Sequence, residues 1–132
     1  MLRNKYLTAA LDVSGKKGLA PPIDITYILY IEKDSFNDAI IVHTRDLKCY
    51  LPGTLKYWEE VLNNTGYNFR TVDRNIVVNL DCIVYLEQAS RLAYFEWPKS
   101  SNSKFCTMSD KHFKAVCKLL NGHEGDSAVA YS

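Results

Sequence analysis

Phe69-Arg70-Thr71-Val72-Asp73-Arg74-Asn75-Ile76-Val77-Val78-Asn79-Leu80 is the stretch on which the fold turns. It sets two arginines and a polar triplet, Asp73-Arg74-Asn75, just ahead of a β-branched run. Ile76-Val77-Val78 predicts a short strand, with Val77, Val78 and Leu80 in the core. Asn79 is expected to act as a turn-forming or strand-bridging residue that bonds backbone through its amide.

Outward from this stretch the β character continues in short pieces. Downstream, Cys82 to Leu86 predicts a strand, and Leu92 to Trp97 and Phe105 to Met108 flank a long polar loop, Pro98 to Lys104. Upstream, Ile23, Ile25, Tyr27, Leu29 and Ile31 alternate with other residues at a period of two, which predicts one strand from Ile23 to Ile31. Lys33 to Asp38 reads as a polar loop with one aromatic, followed by strands over Ala39 to Thr44 and Leu47 to Leu51 around an Arg45-Asp46 turn.

Two helices interrupt the strands. Thr54 caps one from Leu55 to Leu62, with Leu55, Trp58, Val61 and Leu62 inward and Lys56, Glu59 and Glu60 toward water. Ser109 caps the other, with Phe113, Val116, Cys117 and Leu120 as its buried stripe and Gly122 as its C-terminal cap. Strands and helices do not alternate, so a doubly wound parallel sheet is excluded and a mainly β fold with two short helices is expected. Residues 1–22, with Ser14-Gly15 and Pro21-Pro22, read as an N-terminal extension or linker; 23–121 as the folded domain; 122–132 as a flexible tail.

The chain has 132 residues, 47% apolar and 23% charged, enough for one cored domain and unlike a disordered or fibrous protein. No apolar run reaches the roughly 20 residues of a membrane span, so no membrane insertion is expected and a cytoplasmic location is. Cys49, Cys82, Cys106 and Cys117 are widely spaced and lack histidine neighbours, which predicts small core residues and neither a disulfide framework nor a zinc site. No nucleophile elbow, phosphate loop, dinucleotide fingerprint or zincin motif occurs. His43 lies in a strand pattern and His112 in a helix first turn, positions that suit packing more than general base work. Neither catalysis nor a cofactor is expected.

Sixteen Lys and Arg against fifteen Asp and Glu leave a net charge of +1, but the charge is segregated. Lys99, Lys104, Lys111, Lys114 and Lys118 are opposed over their span only by Asp110, whereas five acids oppose two bases between Asp24 and Asp46. Basic residues on loops and helix starts can approach phosphates, although on charge alone a solvated surface is the better explanation.

The order of the motifs is more specific than the charge. The quoted stretch, read with Leu29-Tyr30-Ile31-Glu32 and Gly53-Thr54-Leu55-Lys56-Tyr57-Trp58-Glu59-Glu60-Val61-Leu62, resembles the LytTR family of bacterial DNA-binding domains. Phe69, Arg74, Val78, Asn79 and Leu80 match the family's F-x-R-x-x-R-S-x-x-V-N-L element, and Ser109 opens its final helix. The resemblance covers about residues 23 to 120, five pieces in the right order.

That resemblance implies an elongated arrangement of short antiparallel sheets that inserts loops into successive major grooves of duplex DNA. By position, it places DNA contacts on Asn37 and Asp38 in the first loop, Arg70, Arg74 and Asn75 around the motif turn, and Lys111, His112 and Lys114 at the last helix. The chain departs from the family pattern at Asp73, where a neutral or histidine residue is common, and at Lys111, where arginine is more usual.

The function expected is a stand-alone transcription regulator without its own receiver domain. It would bind paired repeats at promoters, with self-association on DNA and control by a regulatory protein or a small ligand. The alternative is a LytTR-fold protein-interaction or ligand-sensing module with weakened DNA binding, suggested by the acids of the first loop. A single-strand nucleic-acid module, suggested only by the many aromatics, is a third option.

Overall fold

Successive residues of a strand point to opposite faces, and here Val77 and Val78 are both fully buried. A strand buried on both sides must lie inside a sheet covered on both faces. The computed structural model, which describes residues 4–121 and 130–131, has that arrangement.

In chain order the strands are β1 (Tyr6–Leu7), β2 (Ile23–Asp24), β3 (Tyr30–Asp34), β4 (Ala39–His43), β5 (Lys48–Leu51), β6 (Phe69–Asp73), β7 (Ile76–Asn79), β8 (Tyr85–Glu87), β9 (Leu92–Tyr94), β10 (Phe105–Thr107) and β11 (Ala130–Tyr131). Helix α1 (Leu55–Asn64) joins β5 to β6, and α2 (Asp110–Asn121) follows β10. Short 3-10 turns at Ile25–Tyr27 and Leu80–Cys82 complete the set. The fold is mainly β and mostly antiparallel with two short helices, as the sequence pattern requires; β11 alone runs parallel to its neighbour, β8.

A five-stranded sheet in the order β5-β4-β3-β7-β6 forms the centre, and a four-stranded sheet runs β10-β9-β8-β11. One face of the central sheet carries Ile31, Ile40, Val42, Cys49, Phe69 and Val77, packed against Leu62 of α1 and against Ala9, Ala20, Ile23 and Ile25. Tyr30, Val72, Ile76 and Val78 belong to the other core, with Leu86 and Ala93 of the smaller sheet and Phe113 and Val116 of α2.

Several expectations are corrected. The Ile23 to Ile31 strand is broken, because the Asp24 carboxylate accepts the Thr26 N–H at 3.0 Å and caps a 3-10 turn that swings Tyr27 into solvent. Lys33 and Asp34, read as loop, instead complete β3 opposite Ile40 and Ala39. Arg70 does not precede a strand but lies within β6. The strand expected over Cys82 to Leu86 begins only at Tyr85, after the second 3-10 turn.

Residues 4–22 are not a tether. Strand β1 pairs with β2, Ala9 and Ala20 are buried, and Ala10 exchanges two 2.9 Å backbone bonds with Tyr50 of β5. Small side chains at Ala9 and Ala20 let this segment lie close to the sheet, a signal that its Gly and Pro punctuation hides. Of the tail read as flexible, Ala130–Tyr131 forms β11; residues 122–129 and 132, including the cap expected at Gly122, lie outside the described residues.

The outer edges of the central sheet are closed by specific groups. On β6, the Asn63 side chain accepts the Phe69 N–H at 2.6 Å and donates to the Phe69 carbonyl at 2.8 Å. Glu59 takes the Thr71 N–H and hydroxyl at 3.1 and 2.8 Å, so it folds onto the sheet edge and not toward water as its helix position suggests. The Val72 carbonyl accepts the Ser109 N–H at 2.9 Å. Helix α1 is capped as expected, with the Tyr57 N–H on the Thr54 hydroxyl at 3.1 Å. Gly53 before it has φ +102°, and a side chain there would also meet the Trp58 indole nitrogen at 3.2 Å.

Asn79 fastens the second 3-10 turn to the core. Fully buried, its amide donates to the Ile28 carbonyl at 2.9 Å and accepts the Asp81 N–H at 3.2 Å, the bridging role its position predicts. Asn79→Asp replaces the donor with a second acceptor facing a buried carbonyl. It is expected to lower the unfolding free energy by about 3 kcal/mol or more, and Asn79→Ala by about 1–3 kcal/mol, read by urea denaturation at neutral pH. Equal stability of Asn79→Asp and the parent would refute this account.

Candidate nucleic-acid interface

Three of the predicted contact regions meet at one end of the central sheet. The Lys33 N–H donates to the Asn75 carbonyl at 2.9 Å, which seats the β6–β7 turn beside the base of the β3–β4 loop. On its other flank the turn lies near the start of α2, through the Ser109 N–H on the Val72 carbonyl at 2.9 Å and the Thr107 hydroxyl 3.4 Å from Asp73 Oδ2. A register shift between Thr71 and Asp73 accompanies this turn. Such a bulge adds twist and re-aims the residues beyond it, which here are Asp73 and Arg74.

Arg74 and Lys111 are both exposed, and among the described residues neither side chain is in an ion pair. Each cation is therefore available to an external phosphate. Asn75 is half-buried. His112 is tied down: its N–H donates to the Ser109 hydroxyl at 3.3 Å, and its ring Nδ1 lies 2.7 Å from the same oxygen. These contacts make Ser109 the N-cap of α2, as expected. Lys114 reaches Asp110 at 3.2 Å, an exposed pair of the kind that contributes little and is readily exchanged.

Arg70 stands apart. Opposite Val78 in the β6–β7 ladder, it points to the face covered by the smaller sheet and α2. Four residues of strand, roughly 13 Å, separate it from Arg74. Its Nε is buried without a hydrogen-bond partner among the described residues.

The first loop is a braced tip. Asp34 Oδ1 accepts the Phe36 and Asn37 N–H groups at 3.1 and 3.2 Å, and Asp34 Oδ2 takes the Asn37 side-chain amide at 2.9 Å. Asp38, at φ +51°, pairs with Lys33 at 2.7 Å, and that ammonium holds its carboxyl below the ordinary carboxylate range. The side chains predicted to reach bases are thus engaged inside the loop, and Phe36 is left at its tip, 96% exposed.

Sequence patterns gave no sign of Arg91 in this region. It sits between β8 and β9 at φ +54°, accepts the Met108 N–H through its carbonyl at 3.1 Å, and places its guanidinium 4.0 Å from Asp110. Only the tertiary fold brings it beside α2. Conversely, the lysine-rich span does not form one patch: Lys99 pairs with Glu87 at 2.7 Å, and Lys104 donates to the Leu47 carbonyl at 3.0 Å.

Among the described residues no group of three or more His, Cys, Asp or Glu side chains could hold a metal ion, and no helix is long and apolar enough to cross a membrane. All four cysteines are free, and burial pushes the Cys106 thiol up to about 12. Tyr27 and Trp97 are both more than half exposed, although Trp97 stacks on Tyr85 at 4.2 Å.

The chain belongs to the LytTR DNA-binding domain family, whose model matches residues 21–121. Its fold is similar to the LytTr DNA-binding domain of a Bacillus cereus protein named as a methyl-accepting/DNA response regulator. That match has a TM-score of 0.65 at 17% identity and covers 89% of this chain and 97% of the other. No curated protein matches significantly. The family is one of DNA-binding domains and not of enzymes, which makes DNA the partner against which the geometry above is judged.

His43 tests the packing at the other end of β4, where it pairs with Tyr30. It is buried, stacked on Tyr30 at 4.2 Å, with Nε2 2.8 Å from Glu32 Oε1 and no hydrogen-bond partner for Nδ1 among the described residues. Burial lowers its pKa; Glu32 opposes that shift, while Lys104 and Lys48 add to it. Above the unfolded value of about 6.5, both states hold the ring neutral. As the pH falls through that value the unfolded chain takes up the proton first, so stability is lost. Urea unfolding between about pH 7 and pH 5 is expected to show that loss, and His43→Gln to flatten it. An identical pH slope in the variant would contradict it.

Proposed function

We propose that this chain regulates transcription by holding the β3–β4 loop, the Asp73-Arg74-Asn75 turn and the start of α2 against duplex DNA. The loops enter successive major grooves and Arg74 and Lys111 engage phosphates. The observation that carries this reading is the seating of the turn between the two other regions, by Lys33 to Asn75 and Ser109 to Val72, both 2.9 Å. One rigid end of the molecule thereby offers three chain segments, and two of them bear a cation free of protein partners. Arg74 has a planar fork suited to bidentate contact with phosphate or guanine. Lys111 lies in a helix first turn, where the backbone N–H groups favour anions. Paired repeats would seat two copies side by side.

The acids of the first loop do not require a different function. Asp38 is neutralised by Lys33 and Asp34 is occupied in bracing the tip, so the loop presents less negative charge than its composition suggests. That removes the feature which favoured a protein- or ligand-sensing module.

Selection from a pool of random duplexes, followed by affinity measured across a salt series, tests the reading. Enrichment of a paired repeat with affinity falling steeply as salt rises is expected. Arg74→Ala and Lys111→Ala should each weaken binding and flatten the log–log salt slope by about one, with unchanged unfolding midpoints. Asp38→Asn should bind more tightly and steepen the slope by about one, because asparagine tolerates the positive φ and Lys33 is released toward phosphate. Full affinity in both alanine variants would remove the site assignment. No binding by the parent chain at low salt would remove the function.

A further inference from the structure

We propose that Phe36 is the base-reading residue of the first loop and that its ring packs on the C5-methyl group of a thymine. This rests on the DNA-binding reading above and goes beyond it, since position in the motif had pointed to Asn37 and Asp38. Phe36 is 96% exposed, the most exposed large apolar side chain among the described residues. It is not on a floppy segment: the Asp34 carboxylate fixes its own N–H and that of Asn37, and the Lys33–Asp38 pair closes the loop from the other side.

The chemistry of the tip narrows what it can recognise. The Asn37 amide donates one N–H to Asp34 at 2.9 Å, and Asp38 accepts from Lys33 at 2.7 Å, so each polar side chain already has a partner within the loop. Beside them the tip presents one large apolar group, the Phe36 ring. On the major-groove edge of DNA the thymine methyl is the apolar feature, and apolar side chains read it by contact. The loop is also correctly placed, since Lys33 at its base is bonded to the turn that carries Arg74. A ring held at a braced tip gives up little conformational freedom on contact, which favours readout over non-specific stickiness.

The experiment uses the full chain and the duplex it selects from a random pool, with each thymine replaced in turn by deoxyuridine, which lacks only the methyl group. The parent chain is expected to lose about fourfold at one position, the value of one buried methyl group. Phe36→Ala should lose at least as much on the unmodified duplex and be indifferent to deoxyuridine at that position, while Phe36→Leu should retain part of the preference. Indifference of the parent to every replacement, or retained sensitivity in Phe36→Ala, would overturn the inference and leave the DNA-binding reading intact. A change in self-association with no change in DNA preference would also overturn it, in favour of a contact between copies. Absence of DNA binding by the parent would overturn both.

Discussion

The pairing of β3 with β7 is the constraint on which the rest of the structure depends. The other neighbours in the central sheet, β5-β4, β4-β3 and β7-β6, are joined by consecutive hairpins, but Tyr30–Glu32 meets Ile76–Val78 across the whole of β4, β5, α1 and β6. Closing so long a loop costs entropy that only a large reward can offset. Here the reward is double, because Ile31 and Val77 build one core while Tyr30 and Val78 build the other. Asn79 extends the joint by donating its own N–H to the Leu29 carbonyl at 2.9 Å and its side chain to that of Ile28. Both halves of the interface are positioned from this seam, since the β3–β4 loop leaves one of its strands and the Arg74 turn the other.

Much of the fold was legible where a local rule had no tertiary competitor. Thr54 and Ser109 cap their helices as their residue types require, and the apolar stripes of both helices face their cores. The period-two pattern failed where a single side chain could outbid the ladder: Asp24 turned an apparent nine-residue strand into two short pieces around a 3-10 turn. Glu59 misled in the opposite sense, since helical position alone says nothing about an unpaired N–H on a neighbouring strand. Residues 4–22 read as a linker because Gly and Pro mark turns equally well in a linker and in a segment packed on a sheet.

The interface was less legible than the fold. Arg74 and Lys111 are exposed and, among the described residues, in no ion pair, because both lie at element ends that the motif itself defines. Arg70 carries the same charge in the same stretch yet sits within a strand, half-buried, because a register shift decides which residues of β6 reach the turn. The loop was legible only in part. Sequence offers the donor and acceptor groups of Asn37 and Asp38 but not their bonds to Asp34 and Lys33, nor the full exposure of Phe36 beside them.

The closed edges of the central sheet bear on how copies of the chain can gather. Most sheets of this size end in strands whose outward N–H and C=O groups will accept a strand from another molecule. Here Ala10 occupies Tyr50 on one side, while Asn63, Glu59 and Ser109 take up the outward groups of β6 on the other. Copies of the chain brought together along this sheet would therefore meet through side chains. Such contacts could be adjusted residue by residue with the backbone untouched, and this sheet would not be extended strand by strand from one copy to the next.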